Sequence, residues 1–229
     1  MTKRQEAQAG AVDAYSSMTG GPAGSVTPTV ASSFMQVLLD KSAMGDEVIS
    51  ATNMLDIFNT RCEIGNTSKT SGDISIAITG TGSEDLYPPD NPQPVTGGDY
   101  EGFVKVTGLQ SLSEKGGLSV SGSDIVVGIA GDYYTTHAFL DLSSGNNANN
   151  VGFIIAIERS GFITFSERTI GARASNSDDR TNVSGGGFLD GLEVGDKISV
   201  WVASEKNTTL TIFDANLGVN LRAPASLVT

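Results

Sequence analysis

From Gly195 to Pro224 the chain reads GDKISVWVASEKNTTLTIFDANLGVNLRAP, in which apolar and other residues alternate with a period of two. Successive side chains of a strand point to opposite faces. Ile198, Val200 and Val202 therefore share one face, and Ser199, Trp201 and Ala203 the other. Past a polar turn at Glu205-Lys206-Asn207, Leu210 and Ile212 fall on one side and Thr209, Thr211 and Phe213 on the other. Leu217, Val219 and Leu221 then alternate with Gly218 and Asn220. β-Branched and aromatic residues dominate, which specifies an antiparallel hairpin. Both of its faces carry apolar mass. One faces a core; the other, with Trp201 and Phe213, is expected to need a second cover from another subunit.

The same signal begins at residue 67, where Ile74, Ile76 and Ile78 alternate with Ser75 and Ala77. The loop GTGSEDLYPPDNPQPVTGGD follows, and its prolines and glycines break any regular element. EGFVKVTGL, SDIVVGIAG, THAFLDL, VGFIIAIERSG and FITFSER come next, each short enough for one strand and separated by turns. This pattern predicts an all-β sandwich or barrel. Val151–Ile157 is apolar at almost every position, as expected of a central strand covered on both sides. A second sheet would cover one side and a partner subunit the other. Phe153, Ile155, Ile157, Val200, Val202, Trp201 and Phe213 are thus expected in the core or at a subunit interface.

The first part of the chain differs. Residues 1–30 are small, polar and rich in Gly and Pro, which predicts an extended arm with little drive to fold alone. Within 31–44, Phe34, Val37, Leu38 and Lys41 recur at helical spacing, with Ser32 or Ser33 able to cap the start and Gly45 to end it. A short amphipathic helix is predicted there. The run 46–61 fits either a helical stripe or two short strands. Residues 31–66 read as a helical or mixed docking segment, and 67–229 as the β domain.

Few residues suit chemistry. His137 is the only histidine, and Cys62 the only cysteine, so neither an internal disulfide nor a usual zinc ligand set can form. A Ser-His-Asp or Cys-His site would have to use His137, which lies in a strand-like run with no G-x-S-x-G elbow. It is expected to be a strand-face or interface side chain. Asp141, Glu158 and Glu167 could supply paired carboxylates, but they read more simply as solvated charges near strand ends. The loops GSEDLYPPDN, SSGNNANN and SNSDDRTN are rich in oxygen ligands without calcium-loop spacing. No cofactor is expected. Tyr133 and Tyr134, with Tyr87 and Tyr100, are candidate sugar contacts, because aromatic rings stack on apolar sugar faces; packing is the simpler use.

The net charge of −12 argues against nucleic acid, which needs clustered Lys and Arg. No apolar run approaches the roughly 20 residues of a membrane span, and MTKRQEAQAG lacks the apolar stretch of a secretory signal. A shell-like composition without an export signal suits a virion component assembled in a host cytoplasm.

The order of these pieces resembles the tumour-necrosis-factor and complement-globular-head jelly roll, a fold shared with phage structural proteins. The resemblance lies between about Val104 and Pro224. GGLSVSGSDIVVGIAG resembles the lead into an early core strand, and VGFIIAIERSG a central strand with a turn at Ser160-Gly161. GGGFLDGLEVGDKISVWVAS resembles the family's L-x-x-GD-x-apolar-x-apolar-x-apolar stretch, with Leu192, Gly195, Asp196, Ile198, Val200 and Val202 in those places. LTIFDANLGVNLRAP resembles its closing strands. The resemblance implies a homotrimer. With the arm, it leads to the expectation of a non-enzymatic capsid decoration or cement protein of a tailed bacteriophage. Its partners would be itself and a major capsid or other virion protein, docked through Phe34, Val37 and Leu38. The alternative is a fibre or tail-tip module that recognises host-surface glycans.

Overall fold

The computed structural model describes residues 60–67, 72–88, 91–94, 99–100, 102–166, 169–177 and 179–225. The helix expected at 31–44, the arm, and Phe34, Val37 and Leu38 lie outside them. Along the described residues run β1 (Arg61–Thr67), β2 (Ile74–Ile78), β3 (Gln93–Pro94), β4 (Asp99–Tyr100), β5 (Phe103–Lys105), β6 (Gln110–Lys115), β7 (Leu118–Ser121) and β8 (Asp124–Val127). They continue with β9 (Gly131–Ser144), β10 (Asn149–Arg159), β11 (Phe162–Phe165), β12 (Ile170–Ala174), β13 (Thr181–Gly185), β14 (Phe188–Leu192), β15 (Lys197–Ser204) and β16 (Thr208–Pro224).

These strands make two antiparallel sheets. Sheet A has the order β13-β9-β16-β1-β6, with β14 also on β9 and β2 on β16. Sheet B has the order β3-β11-β10-β15-β5-β4, with β12 on β10, β8 on β15 and β7 on β8. From β9 on, the chain changes sheet from β9 to β10, from β12 to β13, from β14 to β15 and from β15 to β16. As a result β9 lies beside β16 and β10 beside β15, although neither pair is consecutive. This is a jelly-roll sandwich. The expected boundary at 67 falls too late. β1 already pairs with β16 and β6 from Arg61 on, and its RCEIGNT carries only Cys62 and Ile64 as core residues, too faint an alternation to read.

The inward faces follow the period of two. Sheet A contributes Cys62, Ile64, Leu140, Leu142, Leu210, Ile212, Leu217 and Val219, and sheet B Val151, Phe153, Ile155, Ile198, Val200 and Val202. Phe153 stands opposite Val202 and Ile155 opposite Val200 in the β10–β15 ladder. Ile157 packs against this core from its rim.

The other face of sheet B has its own apolar layer, and the same chain covers it. Ile154 stands opposite Trp201 there, with Ala156 and Ala203 beside them. Over these residues lie Tyr100, Phe103, Ile163, Leu86 and Phe165. The Trp201 ring centroid is 5.4 Å from that of Tyr100 and 5.4 Å from that of Phe165, and its Nε1–H donates to Ser199 Oγ at 2.9 Å. Trp201 is 1 % exposed within one copy. A cover from a neighbouring subunit was the wrong expectation for this face. Period-two reasoning shows that a strand needs cover; it does not show that an irregular proline-rich segment, carrying Leu86 and Tyr100, will fold back to supply it. Phe213 is not part of this layer. It sits at a bulge of β16 in sheet A, half-buried, with the Arg180 guanidinium 4.0 Å above its ring.

Polar latches fix both ends of the sandwich. At one end the Asp196 carboxylate, 2 % exposed, accepts Nε–H and Nη2–H from Arg159 and the Glu193 N–H at 2.8 Å. Arg159 also donates to Glu193 Oε1 at 3.0 Å and to the Gly191 carbonyl at 2.8 Å. Arg159 is thus a structural clamp rather than a free strand-end charge. Gly195 turns at φ 95°, which explains the Gly-Asp pair ahead of β15. At the other end the buried Asn149 donates to Ser144 Oγ at 2.7 Å and Ser204 Oγ at 2.9 Å, and its Oδ1 accepts the Lys206 N–H at 3.1 Å.

Three outcomes test this layout. Trp201→Ala should cost about 3–5 kcal/mol in urea unfolding; a loss below about 1 kcal/mol would mean the ring is exposed in solution. Arg159→Met leaves the buried Asp196 carboxylate with a single amide donor and should cost about 2–3 kcal/mol. Burial, aided by Glu114, pushes the Cys62 thiol from 9.0 to about 12, and burial pushes the Tyr133 phenol from 10.0 to about 12. Between those limits the unfolded chain has lost protons that the folded chain keeps. Stability should therefore be full below pH 9 and fall as pH rises towards 12, by about 1.4 kcal/mol per pH unit for each group. Cys62→Ala should remove the part of the slope that begins near pH 9.

Candidate interaction face

The outward face of sheet A is built from alternate residues of β14, β9, β16, β1 and β6. On β9, Tyr133 and Ala138 face the core, and alternation turns Tyr134 and Phe139 outward. A bulge interrupts this strand: Gly218 of β16 stands opposite His137, while Val219 stands opposite Thr135. Thr136 and His137 are consecutive, and both are exposed. A bulge commonly re-aims side chains in this way.

His137 lies across β16 and reaches β1. Its Nδ1 is 3.1 Å from Thr136 Oγ1 and its Nε2 is 3.4 Å from Glu63 Oε1. Glu63 Oε1 also accepts a hydrogen bond from Asn216 Nδ2. Gly218 makes this crossing possible. A Cβ there would come within 2.5 Å of both His137 Cε1 and Thr136 Oγ1. Large apolar side chains stand on either side of this polar centre. Leu112 of β6, 48 % exposed, lies over Gly65, where a Cβ would stand 2.7 Å from its Cδ1. On the far side Phe188, 69 % exposed, pairs with Tyr134, and Arg222 sits 5.1 Å above its ring. Asn220 donates to the Tyr134 hydroxyl at 3.3 Å.

The sequence candidates distribute as follows. Phe153, Ile155, Val200 and Val202 are intersheet core, and Trp201 lies under its own cover, so none of them is on this face. Tyr133 is fully buried and donates its hydroxyl to the Ile129 carbonyl, which rules it out as a glycan contact; it follows the core phase of β9, one residue out of step with Tyr134. Tyr100 is buried beside Trp201, while Tyr87 is 76 % exposed, so the four tyrosines form no single platform. Asp141 pairs with Arg180 at 3.4 Å on sheet A, and Glu158 with Lys197 at 2.9 Å on sheet B. These two acids do not share a site, and Glu167 lies outside the described residues. Among the described residues no cluster of three or more His, Cys, Asp and Glu side chains could hold a metal.

Sequence reasoning placed His137 on a strand face but missed its setting. Glu63 lies far in the chain from His137, and both lie far from Asn216 and Gly218; polar side chains give no hydrophobic signal. The one available cue was Gly218, because a glycine inside a strand often marks close approach by another group.

No family model matches the chain, and no curated protein matches it. Solved structures that are similar to it over most of their own length include the following three. Murine APRIL is 16% identical, with a TM-score of 0.43 over 70% of this chain and 98% of its own. Eiger TNF from S. frugiperda is 12% identical, with a TM-score of 0.48 over 73% of this chain and 94% of its own. The globular domain of zebrafish complement 1qA protein is 15% identical, with a TM-score of 0.36 over 72% of this chain and 98% of its own.

Gly218→Ala should displace the His137 ring from Glu63. Because His137 and Thr136 are exposed and can swing aside, the loss of stability should stay below about 1 kcal/mol, while the His137 ring resonances shift measurably in NMR. Unchanged resonances would mean the ring does not lie over Gly218.

Proposed function

We propose that the chain is a non-enzymatic structural protein, a homotrimer whose copies meet through the outward face of sheet A. In this reading it decorates or cements the capsid of a tailed bacteriophage, with residues 1–44 tying it to the shell. The observation that carries the self-association is the contrast between the two outer sheet faces. Sheet B is sealed by Leu86, Tyr100 and Phe165 of the same chain, whereas sheet A presents Leu112, Phe139, Tyr134 and Phe188 around a polar centre. Aromatic enrichment is a feature of interface cores. The number three follows the jelly-roll resemblance.

The virion role is supported by the acidic, glycine-rich composition and by the small, polar segment that precedes the sandwich. An arm that orders on binding loses conformational entropy, which offsets much of its burial. Three linked arms recover affinity through effective concentration. Trimer and arm thus depend on each other in this scheme.

Sedimentation of the purified chain should give three times the mass of one copy. Phe139→Arg, at the middle of the face, should give a single copy with unchanged far-UV circular dichroism; a wild-type chain that stays single at high concentration would overturn the trimer. Deleting residues 1–44 should leave a folded trimer that no longer pellets with capsids, and continued capsid binding would remove the arm from the mechanism.

A further inference from the structure

A second surface lies on sheet B, away from the face just described. A groove of about 620 Å³ runs between the loop at 83–88 and strands β10 and β12. Glu84, Asp85 and Tyr87 line one wall; Asn150, Gly171 and Arg173 line the other. Its size falls within the range of about 300–1,000 Å³ typical of small-molecule sites. Gly152 and Gly171 stand directly opposite each other in the β10–β12 ladder, so no side chain rises from either.

The loop wall is held in place. Leu86 is anchored in the Trp201 layer. Thr81 N–H and Gly82 N–H donate to the Ser204 and Glu205 carbonyls at 2.9 Å each. Ser83 N–H donates to Thr81 Oγ1 at 3.3 Å, Asp85 N–H to Ser83 Oγ at 3.2 Å, and Asn150 Nδ2 to the Glu84 carbonyl at 3.4 Å. With Leu86 turned in, Tyr87 is turned out and is 76 % exposed.

The charged side chains of this groove, Glu84, Asp85 and Arg173, have no partners among the described residues, and the Asn150 side-chain amide is engaged only through one bond to the Glu84 carbonyl. Lys105, Arg159, Arg180, Lys197 and Arg222 each pair with a carboxylate. Arg173 pairs with none, although Glu84 and Asp85 line the same groove, and those two carboxylates are unpaired as well. An exposed aromatic ring on an anchored loop thus stands beside free carboxylate acceptors, a free guanidinium donor and an amide. That set suits a ligand with an apolar face and many hydroxyl groups. Two carboxylates against one guanidinium disfavour an anionic ligand.

We propose that this groove is a binding site for a neutral oligosaccharide. Tyr87 stacks on the apolar face of one sugar ring. Glu84 and Asp85 accept hydrogen bonds from its hydroxyls, and Arg173 and Asn150 donate to its ring or hydroxyl oxygens. This site stands independently of self-association, since it uses the opposite sheet.

The full chain is applied to a printed array of neutral and carboxylate-bearing oligosaccharides, and the strongest neutral binder is then titrated by saturation-transfer NMR. Tyr87→Ala should raise Kd at least about tenfold without changing the melting temperature or the sedimenting mass, because the ring is exposed. Arg173→Ala and Asp85→Asn should each weaken binding, and Phe188→Ala on sheet A should leave it unchanged. The proposal fails if no array member is retained, if carboxylate-bearing sugars are preferred, or if Tyr87→Ala leaves Kd within twofold.

Discussion

Ile154 and Trp201 stand opposite each other on the side of sheet B that faces away from the second sheet. Their neighbours one residue along, Phe153, Val202, Ile155 and Val200, fill the space between the sheets. β10 and β15 are therefore apolar on both faces, and a strand of that kind is stable only when both are dry. This requirement shapes the rest of the molecule. It places β11 beside β10 and β5 and β4 beside β15, so that Tyr100, Phe103 and Phe165 reach the outer face of the same sheet, and it pins Leu86 there. A chain without the segment around 86–103 would expose a broad aromatic patch, which is an aggregation hazard.

The sequence reading succeeded where physics is local and periodic. Alternation assigned Val200 and Val202 to the face opposite Trp201, and there the structure pairs them with Ile155 and Phe153. The Ser160-Gly161 turn and the Gly195-Asp196 corner are also where they were expected. It failed where placement depends on tertiary context. Nothing in YPPDNPQPVTGGDY signals that Tyr100 will reach Trp201. Tyr133 and Tyr134 look alike in sequence, yet one residue of phase makes the first a core side chain and the second a surface one. Phe213 looked like a companion of Trp201 because both are aromatic, but a bulge and a change of sheet separate them.

The polar residues followed the same division. Arg159 beside Glu158 looked like a solvated strand end, because the sequence cannot show that Asp196 would be buried beneath its guanidinium. Among the three oxygen-rich loops, SSGNNANN supplies Asn149, whose amide is used up in joining the turns at one end of the sandwich. The loop at 83–88 keeps its carboxylates free. Composition alone makes these two loops look equivalent; only the hydrogen-bond inventory separates a structural loop from one with spare bonding capacity.

The position of the single tryptophan has an optical consequence. Indole emission depends on the polarity around the ring, and here the ring lies between sheet B and its aromatic lid rather than between the two sheets. Fluorescence of this protein thus reports on the seating of the lid. A red shift that precedes the loss of β-sheet circular dichroism would mark a state in which the lid has lifted while the sandwich beneath it remains closed.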